Sequence, residues 1–157
     1  MHHEGLVTLH LVRHATALDR SGYRDDDRTR PLSEDGRRQA ETLARWALFD
    51  RVTAVVSSPA VRCVDTVAPL ARRLELEVLH DDRLYEGHDP SHLLELAEGA
   101  GDVVVCSHGD LIPEALRLAT MRGATLVGDR MVEKGCTWSV EFGTDGRPTR
   151  AVRTAAP

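Results

Sequence analysis

The sequence predicts an α/β domain with a mainly parallel central sheet, a single-domain three-layer α/β/α arrangement, and three observations predict it. Three near-continuous apolar runs, at 6–13, 52–59 and 102–108, have the composition of strands buried on both faces. The segments that follow carry apolar residues at helical spacing. Strands alternating with helices in one chain are joined by crossovers, which leaves neighbouring strands parallel.

Residues 6–13 form the first strand. Residues 18–31 (LDRSGYRDDDRTRP) are polar, charged and Gly/Pro-bearing, a loop whose length in a compact domain is more often functional than not. Residues 32–49 read as a helix N-capped by Ser33, with Ala40, Leu43, Ala44, Ala47 and Leu48 at helical spacing. The second strand ends at Pro59, which suits the first turn of a helix. That helix runs through residues 60–74, with Val64, Val67, Ala71 and Leu74 on one face and a kink expected at Pro69. Residues 77–84 read as a weaker strand, and 89–99 as a short amphipathic helix closed by Gly99. After the third strand, residues 111–121 are helical, and the remainder alternates like a hairpin turning at Asp145-Gly146. One domain over 1–157 is expected, without repeats or low-complexity tracts.

With 41% hydrophobic and 29% charged residues, the chain has an ordinary globular balance and no apolar run near a membrane span. The N-terminus lacks the basic region and small-residue cleavage site of a secretory signal. Cys63, Cys106 and Cys136 are far apart and form no CxxC pair, which fits a reducing cytoplasm better than disulfides or zinc. A net charge of −5 disfavours a nucleic-acid polymer as partner, yet allows a local basic pocket. The run RDDDR at 24–28 lacks a metal-ligand spacing and reads as a solvated charged loop. No cofactor or metal is expected, and His2 and His3 receive no role.

In open α/β sheets ligands bind beyond the carboxyl ends of the strands. There the three best strands deliver Arg13-His14, Ser57-Ser58 with Arg62 one turn on, and Ser107-His108-Gly109. Two arginines and two histidines on one sheet edge describe a phosphate pocket, because guanidinium forks match phosphate oxygens bidentately. A histidine among cations stays neutral, and a neutral imidazole nitrogen is a nucleophile. On chemistry alone either His14 or His108 fills that part. Cys106, inside an apolar run, reads as a core residue.

Four segments in order resemble the histidine phosphatase superfamily, with its phosphoglycerate mutase-like fold. LVRHATA resembles the RHG motif, PLSEDGRRQA (31–40) the PLTxxGxxQA element, SSPAVRCVDT (57–66) the SSPxxRxxxT element, and VVVCSHGDLI (103–112) the second-histidine motif. The resemblance implies that His14 takes the phosphoryl group as a phosphohistidine, which water hydrolyses, without a metal. It implies that Arg13, Arg62 and His108 bind the phosphate oxygens, and that Thr16 is a further hydroxyl ligand. Glu86, in RLYEG, matches the position of a general acid whose raised pKa suits proton donation, with Asp81, Asp82 and Asp89 as competitors. Ala15 replaces the glycine of RHG and is expected to narrow the pocket slightly. The chain looks most like the small SixA-type phosphohistidine phosphatases, and also resembles phosphatase domains joined to Nudix domains. The substrate implied is a phosphohistidine protein or a small phosphorylated metabolite or nucleotide. The arginines of the 18–31 loop (Arg20, Arg24, Arg28, Arg30) offer a place for a second anionic group. A phosphoglycerate mutase-type transfer and an inactive phosphate-binding module are the alternatives.

Overall fold

A computed structural model describes residues 6–99 and 101–157, so His2 and His3 lie outside the described residues. Seven strands form one sheet: β1 (Val7–Arg13), β2 (Val52–Ser57), β3 (Val78–His80), β4 (Asp102–Ser107), β5 (Thr125–Val127), β6 (Thr137–Phe142) and β7 (Pro148–Thr154). Their order is β3-β2-β4-β1-β6-β7-β5. Only β6 opposes its neighbours, pairing antiparallel with β1 and β7, while the remaining pairs are parallel. The helices are α1 (Glu34–Leu43), α2 (Val61–Arg73), α3 (Ser91–Glu95) and α4 (Leu111–Met121).

Alternation along the central strands feeds both faces of the sheet. Leu9, Leu11, Val103 and Val105 pack with Leu93 and Leu94 of α3 and with Ile112, Ala115 and Leu116 of α4. Val12, Val104 and Cys106 pack the other way, against Leu43 of α1 and Cys63, Val67 and Leu70 of α2. The apolar runs therefore read as continuous because each strand is covered on both sides.

Four details differ from the sequence reading. First, α1 ends at Leu43, because the Arg73 guanidinium takes the carbonyls of Ala44 and Trp46 and the chain turns away. Phe49 thereby enters the core and Leu48 stays exposed. Second, the buried face of α2 is Cys63, Thr66, Val67, Leu70 and Ala71, with Val64 and Leu74 half-buried at its margins. The helix continues through Pro69 to Arg73, lacking one backbone donor. Third, Pro59 precedes the cap residue Ala60 and lies outside the first turn. Fourth, β5 is an edge strand of three residues, Leu126 half-buried between exposed Thr125 and Val127, with no apolar pattern to announce it.

His10 sits inside β1, with its Nδ1 2.8 Å from Ser139 Oγ and its ring edge-on to Phe49. Burial pushes its pKa down to about 4, against a smaller upward pull from Asp102. Such a histidine takes up a proton near pH 6.5 only when the chain unfolds, so stability falls as pH drops from 6.5 toward 4. His14, lowered to about 3, acts the same way. Each imidazole is expected to cost roughly 2 kcal/mol at pH 5 relative to neutral pH. Urea unfolding at pH 7 and pH 5 checks this: the loss should be about halved in His10→Asn, and an equal loss in that variant would contradict it.

Candidate active site

The strand register sets the site. Arg13 of β1 pairs with Ser107 of β4, and Ser57 of β2 with Cys106, so the three strands end level. Beyond them the ladder continues one step, His14 N–H donating to Ser107 O at 3.1 Å and Ser58 N–H to Cys106 O at 2.9 Å. His14, Ser58 and His108 leave the sheet together and are all buried. The two imidazoles meet edge to face with centroids 5.7 Å apart.

His14 Nδ1 lies 2.8 Å from the carbonyl of Ala15. A carbonyl only accepts, so Nδ1 carries the proton and Nε2 keeps its lone pair. Burial, joined by the charges of Arg62, His108 and Arg13, lowers the pKa of His14 to about 3 against the Ala15 hydrogen bond. The ring is neutral at any ordinary pH.

His108 is gripped on both sides. Its Nε2 is 2.9 Å from Ser58 Oγ, and its Nδ1 is 3.3 Å from Glu86 Oε1. Arg62, in the first turn of α2 and 2% exposed, reaches the same Glu86 oxygen with Nη2 at 2.6 Å. Arg20 Nη2 joins them at 3.2 Å. Glu86 is held in place from both sides: Ser107 Oγ donates to the Leu84 carbonyl and Gly87 N–H donates to Asp110 Oδ2, each at 2.8 Å. Burial favours the protonated form of Glu86, but the Arg62 hydrogen bond and the charges of His108, Arg62 and Arg20 outweigh it, and the net shift is downward. This corrects the expected raised pKa: with the Arg62 and Arg20 guanidinium groups and the His108 ring on one oxygen, the shift is downward and the carboxylate is ionised.

Arg13 anchors Nη1 on the Val132 carbonyl at 2.7 Å. Its guanidinium lies over Gly109, where a Cβ would fall 2.6 Å from Arg13 Cζ. The buried Nε groups of Arg13 and Arg62 find no acceptor among the described residues, an unusual state for buried donors and one suited to a bound anion. Gly109→Ala is expected to leave the fold intact, because only a side-chain tip must move, and to lower kcat/KM by about 10- to 100-fold by displacing the Arg13 guanidinium. Parallel thermal melts and steady-state rates check this; an unchanged rate would contradict it.

The structure brings Arg13, His14, Arg62, Glu86 and His108 together, and gives Thr16 a different task. The Thr16 hydroxyl and N–H both bond Gln39 Oε1 at 3.0 Å, and its carbonyl accepts from Ser33 N–H. Gly36 is needed there, since a Cβ would fall 1.9 Å from the Thr16 carbonyl oxygen. Ala15 does not narrow the pocket: it clusters with Leu32 and Ala40 behind the site, and its N–H donates to Thr66 Oγ1 at 2.9 Å. The competitors Asp81 and Asp89 are used as turn caps, for Arg83 N–H and Ser91 N–H.

Asp27 is the residue the sequence reading missed. It belongs to RDDDR, yet it is not merely solvated. Its carbonyl accepts from Arg62 Nη1 at 2.8 Å, its Oδ2 lies 3.2 Å from Arg62 Nη2, and its Oδ1 takes Arg30 Nε at 2.9 Å. Asp27 thus ties the 18–31 loop to Arg62 of α2. Of the loop's arginines, Arg20 and Arg30 line the cleft, whereas Arg28 stacks on Tyr85 at 4.4 Å. The cleft has a volume of about 700 Å³ and opens above Arg13, His14, Glu86 and Gly109, with Leu18 and Lys134 on its walls. A larger hollow of about 1250 Å³ lies at the opposite end of the strands, around Val7, Asp102 and Phe142, and holds none of the motif residues.

The chain as a whole has relatives among known proteins. The sequence profile of the histidine phosphatase superfamily (branch 1) matches residues 9–88, and the chain belongs to that superfamily. It is 35% identical over 147 residues to the 8-oxo-(d)GTP phosphatase of Mycolicibacterium smegmatis, across 88% of this chain and 45% of that protein. The chain therefore spans less than half of that relative's length. In fold it is similar to the protein histidine phosphatase SixA complexed with tungstate, with a TM-score of 0.71 and 23% identity over 90% of this chain and 92% of the other. It is similarly close to phosphoglycerate mutase from Bacillus anthracis, with a TM-score of 0.70 and 16% identity over 93% and 92%. The phosphoglycerate mutase-like α/β fold expected from the sequence is the one observed. Among the described residues no helix is long and apolar enough to cross a membrane.

Proposed function

We propose that the chain is a phosphatase in which His14 Nε2 attacks the phosphorus of a bound phosphoryl group, and water then hydrolyses the phosphohistidine. The observation that carries this reading is the state of His14: neutral, its proton fixed on Nδ1 by the Ala15 carbonyl, its Nε2 lone pair free. Arg13, Arg62 and His108 bind the phosphate oxygens and stabilise charge in the transition state. The unpartnered Nε groups of both arginines support that role. Ser58 keeps His108 oriented from behind. Glu86 handles the proton; ionised, it is suited to taking one from the attacking water in the second step.

The substrate is a phosphohistidine protein or a small phosphorylated metabolite or nucleotide. The names of the SixA structure and of the 8-oxo-(d)GTP phosphatase support those two classes respectively. A phosphoenzyme route is tested by partitioning. With several phosphomonoesters and a fixed alcohol acceptor, a common intermediate gives one ratio of transferred to hydrolysed phosphate. A ratio that varies with the leaving group would overturn it. A mutase reaction would instead need a bisphosphorylated primer for turnover.

A further inference from the structure

We infer that the cleft contains a second anion subsite, formed by Lys134 and Arg30, which fits a substrate whose leaving group is itself anionic, as in an organic diphosphate losing its terminal phosphoryl group. This rests on the phosphatase reading above and narrows its substrate class. Lys134 is the chain's only lysine; every other member of its 20 Lys and Arg residues is arginine. The N–H of the next residue, Gly135, donates to the carbonyls of both Arg13 and His14 at 3.1 Å. Lys134 is therefore stapled beside the backbone of the proposed nucleophile. It is exposed, lines the same cleft, and makes no ion pair among the described residues. Its charge also reaches Asp19, which lines the same cleft and whose carboxyl is held down first by the Ser21 hydrogen bonds and further by Lys134 and Arg30.

Arg30 approaches from the loop side. It is 5% exposed, with Nε on Asp27 Oδ1 at 2.9 Å and Nη1 on the Leu18 carbonyl at 2.7 Å. Its Nη2 donates to no protein group among the described residues. Arg20, by contrast, is already engaged by Glu86 and Asp27. A buried guanidinium held on Asp27 and an exposed ammonium thus line the same cleft as His14, with the Asp19 carboxyl, lowered in part by both charges, lining it as well.

The ionised Glu86 points the same way, because a carboxylate cannot protonate a departing oxygen. In a diphosphate the N–P bond forms at His14 Nε2, the bridging P–O bond breaks, and its electron pair leaves on the inner phosphate. That leaving group is stable as an anion and needs no proton. Water then attacks phosphorus, Glu86 takes its proton, the P–N bond breaks, and inorganic phosphate and neutral His14 result.

The test compares kcat/KM for a nucleoside diphosphate with that for the matching monophosphate in the wild type, Lys134→Ala and Lys134→Glu. An anhydride is intrinsically the more reactive, so the change in the ratio decides, not its absolute size. The ratio is expected to fall about tenfold in Lys134→Ala, the scale of one charge-assisted contact, and further in Lys134→Glu. An equal ratio in all three proteins overturns the subsite while the phosphatase reading stands. No phosphate release by the wild type from either nucleotide, from a phosphohistidine peptide or from p-nitrophenyl phosphate overturns both.

Discussion

Replacing His14 by alanine is expected to lower kcat by ~10⁴-fold or more, the scale on which a lost nucleophile acts when the rest of a site survives. The protein should remain folded, since the residue's backbone bond to Ser107 O is kept. A second readout separates this from damage to the fold. His14, like His10, resists protonation in the folded state, with a pKa lowered to about 3 chiefly by burial. Its removal should flatten the decline of stability between pH 6.5 and 4, so the variant is relatively sturdier in acid while inactive. An inactive variant with unchanged acid sensitivity would contradict the burial argument.

Arg62→Ala is expected to lower kcat/KM by ~10²–10³-fold. The fork of Arg62 is fixed by Glu86 Oε1 at 2.6 Å and by the Asp27 carbonyl at 2.8 Å, so a phosphate meets a donor already in position. Arg62→Lys should recover little, because an ammonium supplies charge without the paired donors. Asp27→Asn offers the complementary measurement: it weakens one clamp on Arg62 and leaves the guanidinium present. Full activity in Arg62→Lys would contradict the fork geometry.

Most of the site was legible because the apolar runs define parallel strands, and residues just past such strands share one edge. That reasoning reached Arg13, His14, Arg62 and His108, and the resemblance of RLYEG to the family's general-acid segment reached Glu86. What it missed depends on contacts between distant segments. Asp27 looks like any loop carboxylate until the 18–31 loop folds back onto α2, placing it 3.2 Å from Arg62. Thr16 lies two residues after the proposed nucleophile, yet Gln39 of α1 claims its hydroxyl. Ala15 packs away from the cleft because the helix face with Ala40 and the loop residue Leu32 leave room there. Lys134 gained its place only once antiparallel β6 returned the preceding segment to the end of β1. The Glu86 charge state was also illegible, since it reflects two arginines and an imidazole drawn from the loop, α2 and the turn after β4. Burial alone would have pushed it the other way.

The central claim is that the phosphoryl group passes through His14. Rapid quenching of the enzyme with radiolabelled substrate, followed by peptide mapping, tests it most directly. The account predicts label on the peptide containing His14, stable in base and lost in acid, and none in His14→Ala. Label on another residue, or label that persists in His14→Ala, would contradict it.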